Sequence, residues 1–342
     1  MSRQKDPGVV SAKRILNREK GGLALLIGNG INRITGAKSG ISWNQLVENL
    51  IASAAAHSSS PPAVEKRLKR LIKRGKTGQT PASLPEIFDI IEASMGVTVS
   101  STSKSGSEFN LQAHIATLLQ DMKPGEAHGA LAAWAAAHRV PVLTTNYDHC
   151  IQEALEKTAC RRRRFGLGRP MSDYYPWDRY YAPQDINDPL NEFALWHIHG
   201  DRELRRSIRV GLDQYMGMVQ RLRHLMQRAT KEVMQALKEG QEPALSYEGA
   251  PWLTIFMRRK IWIQGLAVSA EEVSIRWLLI QRLRYWTRVK PDEGLTSGWY
   301  IHGPTQRVGP LDQERRIFFE SVGLKVLEIS QANHTFCNLF GS

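Results

Sequence analysis

Residues 23–27, Leu-Ala-Leu-Leu-Ile, are apolar at every position and run straight into Gly28-Asn29-Gly30. A strand with no polar face has to be covered on both sides, as in a parallel sheet with helices packed on each face. The form recurs along the chain. Val140, Val142 and Leu143 lead into Thr-Thr-Asn-Tyr-Asp, residues 193–201 read as a strand entering a His-Gly turn, and Lys260–Leu266 carries Gly265 at its end. Trp252–Met257, Trp299–His302 and Leu324–Ile329 are further strand expectations. Helical spacing lies between them: 42–50 with Ser42 as N-cap, 64–76, 84–95, 114–122, 128–138, 147–157, 214–240 as one helix or two, and 271–288. Strands alternating with helices predict an α/β fold, a Rossmann-like parallel sheet flanked by helices with a smaller helical insertion lobe. The expected organisation is a basic N-terminal arm or short helix over 1–21, then one domain over 22–342. Helical insertions are expected at about 58–125 and 214–250, with a Ser/Thr-rich surface loop at 97–107.

Composition narrows the setting. The 342 residues are 42% hydrophobic and 23% charged, as in ordinary soluble domains. No apolar run approaches the roughly 18–20 residues needed to cross a bilayer, and the first twenty residues are polar and basic, so a cytoplasmic protein is expected. Cys150, Cys160 and Cys337 form neither a disulfide framework nor a paired Cys-x-x-Cys zinc site. The formal charge of +13 fits nucleic acid, another polyanion, or solubility alone. Its densest part is Lys66–Lys76, with seven Lys or Arg in eleven residues, followed by the run Arg161–Arg164. Gly75-Lys76-Thr77 imitates the end of a phosphate-binding loop. Arg70 replaces the earlier glycine there and no apolar strand leads in, so the chain cannot wrap a phosphate at that point.

Three strand ends could carry chemistry. Gly28-Asn29-Gly30 would let backbone amides approach a phosphate, with Asn29 and Asn32 as added donors to a phosphate or ribose, or it is simply a tight turn. Thr145, Asn146 and Asp148 crowd the carboxyl end of a parallel strand, where open α/β sheets bind ligands; Asn146 or Asp148 could equally cap the next helix. His197 and His199 flank Ile198 and point to one strand face. No third ligand with clear spacing stands near them, so no metal is expected. One histidine reads as packing or capping, and His199, before Gly200, as the residue where the strand leaves the sheet. A second Ile-His-Gly, residues 301–303, shows how cheaply that triplet arises.

In order, "LLIGNGINR", "SWNQLVENL" (42–50), "PVLTTNYDHCIQEAL" (141–155), "WHIHGD" (196–201) and "IWIQGLAVSAEEVSIRWLL" (261–279) resemble the motifs of the sirtuin superfamily. The closer likeness is to the sirtuin-like (SIR2-like) NAD-hydrolase domains of bacterial antiphage defence proteins, over roughly residues 22–335. The resemblance implies an NAD+ glycohydrolase that depletes NAD, taken as substrate, in abortive infection. It implies Asn146 and His199 as catalytic residues. It also implies NAD contacts at Gly28, Asn29, Gly30, Asn32, Arg33, Thr145, Asp148 and Gly265. The two Cys-x-x-Cys pairs that build the zinc module of protein-deacylating sirtuins are missing, and Leu266 and Ala267 stand where relatives often carry polar or aromatic groups. Plain NAD cleavage is therefore expected ahead of deacylation or ADP-ribosyl transfer. Relatives of this type commonly assemble, so a homo-oligomer is expected, with a HerA-type ATPase or another activator as possible partner. The rival expectation is a nucleic-acid-binding or sensing protein that uses the basic helix 64–76 on an α/β scaffold.

Overall fold

The computed structural model describes residues 6–34, 43–56, 61–73, 81–94, 110–155, 160–166, 171–240, 245–289, 297–303, 311–329 and 335–341. Ser42, the Gly75-Lys76-Thr77 triplet and the loop 97–107 lie outside them.

Eight strands form one sheet: β1 Leu23–Ile27, β2 Val142–Thr144, β3 Arg161–Arg164, β4 Arg179–Ala182, β5 Leu195–His197, β6 Lys260–Gln264, β7 Gly298–His302 and β8 Leu324–Glu328. Their order is β3-β4-β5-β2-β1-β6-β7-β8. The six strands from β5 to β8 are parallel, with Leu25 opposite Val142 on one side and Trp262 on the other. β3 and β4 add an antiparallel edge. From β1 the chain builds outward through β2 to β5, then returns to place β6 on the other flank of β1. The β1/β6 boundary is therefore the topological switch point, where doubly wound sheets bind ligands beyond their carboxyl ends.

The alternation of β1 explains its wholly apolar sequence. Ala24 and Leu26 enter the core that holds Trp196, Trp252, Phe256, Leu278 and Leu279. Leu23, Leu25 and Ile27 enter the opposite core with Leu16, Leu131, Trp262 and Phe336. Helices α1 (Pro7–Glu19), α7 (Glu126–Ala137) and α13 (Thr335–Phe340) supply that second layer, so the basic N-terminal segment is a docked helix. Its entry is set by Pro7 in the first turn and by Asp6, whose carboxylate accepts from Gly8 N at 2.8 Å. The first layer uses α9 (Leu212–Lys238), α10 (Pro251–Arg258) and α11 (Val273–Val289). A third core joins α3 (Trp43–Ala56), α4 (Pro61–Ile72), α5 (Leu84–Ser94) and α6 (Leu111–Leu118) to Tyr147, Cys150, Ile208 and Val210. Helices α2 (Gly30–Ile34), α8 (Cys150–Glu153) and α12 (Gln313–Ser321) complete the set among the described residues.

Two expectations are corrected. Trp252–Met257 is helical, within α10, because Pro251 begins a helix and every residue from Pro251 to Met257 is buried, which removes the polar stripe that marks a helix. The helix expected from Tyr147 shrinks to α8, since residues 145–149 are held in the turn that follows β2. Of the one or two helices expected over 214–240, the structure has one, α9, spanning Leu212–Lys238. The run Arg161–Arg164 is an edge strand, where charged side chains discourage pairing with other chains.

Candidate functional site

The turn after β1 and the turn after β6 lie against each other. Gly28 N donates to Gln264 O at 3.0 Å and Gly30 N to Gly265 O at 2.7 Å. A Cβ on Gly28 would stand 2.6 Å from Gly265 O, and one on Gly30 2.5 Å from Gly265 Cα. Gly265 itself has φ +71°, in the left-handed region. The three glycines are thus needed to let two backbones meet at the switch point.

Behind this turn sits a buried polar chain. Gly125 N donates to His128 Nδ1 at 2.9 Å, which leaves Nε2 as the protonated nitrogen facing Asn32 Oδ1 at 2.8 Å. Burial holds the His128 imidazole below its ordinary pKa, in keeping with the neutral tautomer. Asn32 Nδ2 donates to Asn29 Oδ1 and Asp148 Oδ2, each at 2.8 Å, while Asp148 Oδ1 accepts from Cys150 N at 3.0 Å. Asn32 and Asp148 are brought together with the glycine turn, and they spend their polar atoms locking it to the turn after β2. Arg33 is exposed.

Asn146 is in the opposite condition. Its backbone is fixed: N donates to Thr144 Oγ1 at 3.1 Å, and O accepts from His197 Nδ1 at 2.7 Å. Thr144 Oγ1 in turn donates to Ile27 O and Thr145 N donates to the same carbonyl, tying the turn to β1. The Asn146 side chain is only 6% exposed, yet Oδ1 and Nδ2 have no partner among the described residues. A buried carboxamide with neither group satisfied costs several kcal/mol, of order 2–6, so its two groups call for a water or a ligand. Among the described residues twelve buried side-chain atoms lack partners, and seven belong to Asn146, Gln152, Arg209, Gln264 and Glu272, which lie at or beyond the carboxyl ends of the parallel strands. More than half of these atoms therefore gather at that end of the sheet.

His199 lies past the end of β5, with Nε2 3.2 Å from Ser274 Oγ and its ring edge-on to Tyr215 at 5.3 Å. Its Nδ1 has no hydrogen-bond partner among the described residues. Burial, and then the Arg209 guanidinium, push its pKa down to about 3, so the imidazole is neutral at physiological pH. Gly200 follows at φ +121°, where a Cβ would stand 2.3 Å from Ser207 O; only glycine makes this exit from the sheet. Arg209 is buried under Tyr174 and Tyr175, with Nε and Nη1 unpartnered. Glu272, just before α11, has its carboxyl pushed up to about 7 by burial, and Oε2 is unpartnered.

Residues 140–240 match the family model of the SIR2-like domain. That family is one of NAD-dependent enzymes. The matched span begins at β2 and includes Thr145, Asn146, Asp148 and His199, but not the glycine turn or Gly265. No curated protein matches the chain significantly.

The fold brings Gly28, Asn29, Gly30, Asn32, Thr145, Asn146, Asp148, His199 and Gly265 to one end of the sheet. Sequence reasoning missed Gln152, Ser274, Arg209 and Glu272, and it missed His149 and Asp201 beside His197. The Asp after His-Gly and the His after Asn-Tyr-Asp were visible, but nothing in their spacing paired them.

Proposed function

We propose that this chain cleaves the nicotinamide–ribose bond of NAD with water, giving nicotinamide, ADP-ribose and a proton, and that it serves bacterial antiphage defence by depleting NAD. The observation that carries the reading is the unpartnered, buried Asn146 carboxamide beside the switch point, within the SIR2-like span. Its oxygen and amide suit a ribose hydroxyl and the attacking water. As the glycosidic electrons return to the pyridinium ring, nicotinamide leaves neutral and positive charge develops at the ribose C1′. Catalysis is then mainly positioning and electrostatics. Water attacking that carbon becomes a far stronger acid than an imidazolium of pKa about 3, so neutral His199 suffices to receive its proton. Gly28–Gly30 and Gly265 face the dinucleotide, with Asn32 and Asp148 holding the turns in register.

The test is chromatography of NAD incubated with purified chain: nicotinamide and ADP-ribose should form together, and Asn146→Ala should abolish both while the far-UV spectrum stays unchanged. A HerA-type ATPase or another activator, and self-assembly, would act through surfaces away from this sheet end.

A second reading, nucleic-acid binding, has one supporting observation: Lys66, Arg67, Lys69, Arg70 and Lys73 are all exposed on α4 and just beyond it. The Arg161–Arg164 run supports it less, since Arg162, Arg163 and Arg164 pair with Glu203, Asp185 and Asp178 at 2.9, 2.9 and 3.5 Å. DNA retention that falls steeply with salt and is lost on neutralising α4 would establish it.

A further inference from the structure

Directly beneath Asn146, His149, His197 and Asp201 each offer one ligand atom, and these atoms all lie within 4.8 Å of one another. All three residues are buried and come from different elements: the start of α8, the end of β5, and the turn after it. The geometry points to a binding site for one divalent transition ion of the zinc class, held by the two imidazoles and the carboxylate.

The surroundings carry the assignment further than the three residues alone. His197 gives its Nδ1–H to Asn146 O at 2.7 Å, which leaves Nε2 as the lone-pair nitrogen. His149 Nδ1 faces Glu203 Oε1 at 3.6 Å, and its Nε2 lies 2.7 Å from Asp201 Oδ1. Each histidine thus has one nitrogen turned to a carbonyl or carboxylate, as in metal-binding imidazoles, and the other directed at Asp201 or Gln152, contacts that an ion would replace. Asp201 is held in the same manner: Oδ2 accepts from Tyr181 OH at 2.6 Å and its backbone N donates to Ser207 Oγ at 2.9 Å.

A fourth group is close. The Gln152 amide reaches His197 Nε2 with its nitrogen at 3.0 Å, and its oxygen is buried without a partner. Turning that amide over would give the unpartnered oxygen an ion to ligate. Asp201 and the two imidazoles are buried together with no lysine or arginine hydrogen-bonded to any of them among the described residues. Zinc bonds of about 2.0–2.2 Å put neighbouring ligand atoms about 3.3–3.5 Å apart, so the His149–Asp201 contact, 2.7 Å here, would open while wider separations close by at most about 1.5 Å.

Because His197 holds the Asn146 carbonyl, an ion here would also fix the backbone of the residue proposed to touch NAD. The site itself does not depend on that proposal. Full-length protein, treated with chelator and desalted, is titrated with zinc chloride by calorimetry, and with cobalt chloride by visible absorption. One equivalent of zinc should bind, with a cobalt d–d spectrum, and His149→Ala or Asp201→Asn should abolish both signals. Tyr181→Phe, which removes only the hydroxyl on Asp201 and leaves the ligands in place, should weaken zinc binding by about tenfold or more. Failure to bind an equivalent, or binding indifferent to all three substitutions, overturns the assignment and leaves a hydrogen-bonded cluster without an ion. Either result is read without NAD, so it is distinct from failure of the proposed activity.

Discussion

Replacing His199 by Gln removes a titration that ought to govern acid stability. The folded imidazole is pushed down to about 3, against an ordinary value of 6.5 in the unfolded chain. Between those values the unfolded chain binds a proton at His199 that the folded chain does not. Protonation therefore favours unfolding, and the contribution of this group falls as pH falls. With each pKa unit worth about 1.4 kcal/mol, the whole interval corresponds to about 5 kcal/mol, and the part lost between pH 7 and pH 5 to about 2 kcal/mol. Other groups titrate too. His128 and His197 act in the same direction, and Glu272, pushed up to about 7, acts in the opposite one. Asp201, held below the ordinary carboxylate range, is ionised in both states above about pH 5 and adds no slope there. Comparing parent with variant cancels these shared terms. Urea unfolding of both proteins near pH 7 and near pH 5 should show the parent losing about 2 kcal/mol more than His199→Gln. Equal losses would mean that His199 titrates normally in the folded chain and that its burial next to Arg209 has been misjudged.

Three further outcomes follow from other parts of the molecule. Asn32→Ala strips the bonds to Asn29, Asp148 and His128, leaving a buried carboxylate oxygen and an imidazole N–H unsatisfied; urea denaturation should register about 2–4 kcal/mol of lost stability. Arg282→Met should cost about 3–5 kcal/mol in the same assay, because this fully buried guanidinium donates to the carbonyls of Phe256, Arg259 and Ser297. His302→Ala should leave NAD cleavage near the parental rate, since His302 ends β7, on the far side of β6 from the β1–β2–β5 strand ends; an activity loss as large as that of Asn146→Ala would relocate the site.

Legibility of the sequence followed burial and distance along the chain. β1, β2, β5, β6, β7 and β8 are readable because each is short and mostly apolar, and strands alternating with helices point to the parallel sheet. α10 was misread because a helix buried all round has no period to detect. The glycine turn was visible, but its reason was not: Gly28 and Gly30 make room for Gly265, more than two hundred residues later. Asn32 likewise meets His128 and Asp148, 96 and 116 residues away, and a single sequence records no such pairing. The His149–His197–Asp201 cluster escaped for the same reason. Its partner to His197 was sought at His199, two residues on, but came from a separate helix.

The central claim concerns the Asn146 carboxamide, and one measurement meets it directly. Carbonyl-labelled NAD is incubated with the purified chain and with Asn146→Ala, and released nicotinamide is quantified against ADP-ribose over time. The account predicts equimolar nicotinamide and ADP-ribose from the parent and none above background from the variant. NAD left intact by the parent, or cleaved equally well by Asn146→Ala, would contradict it.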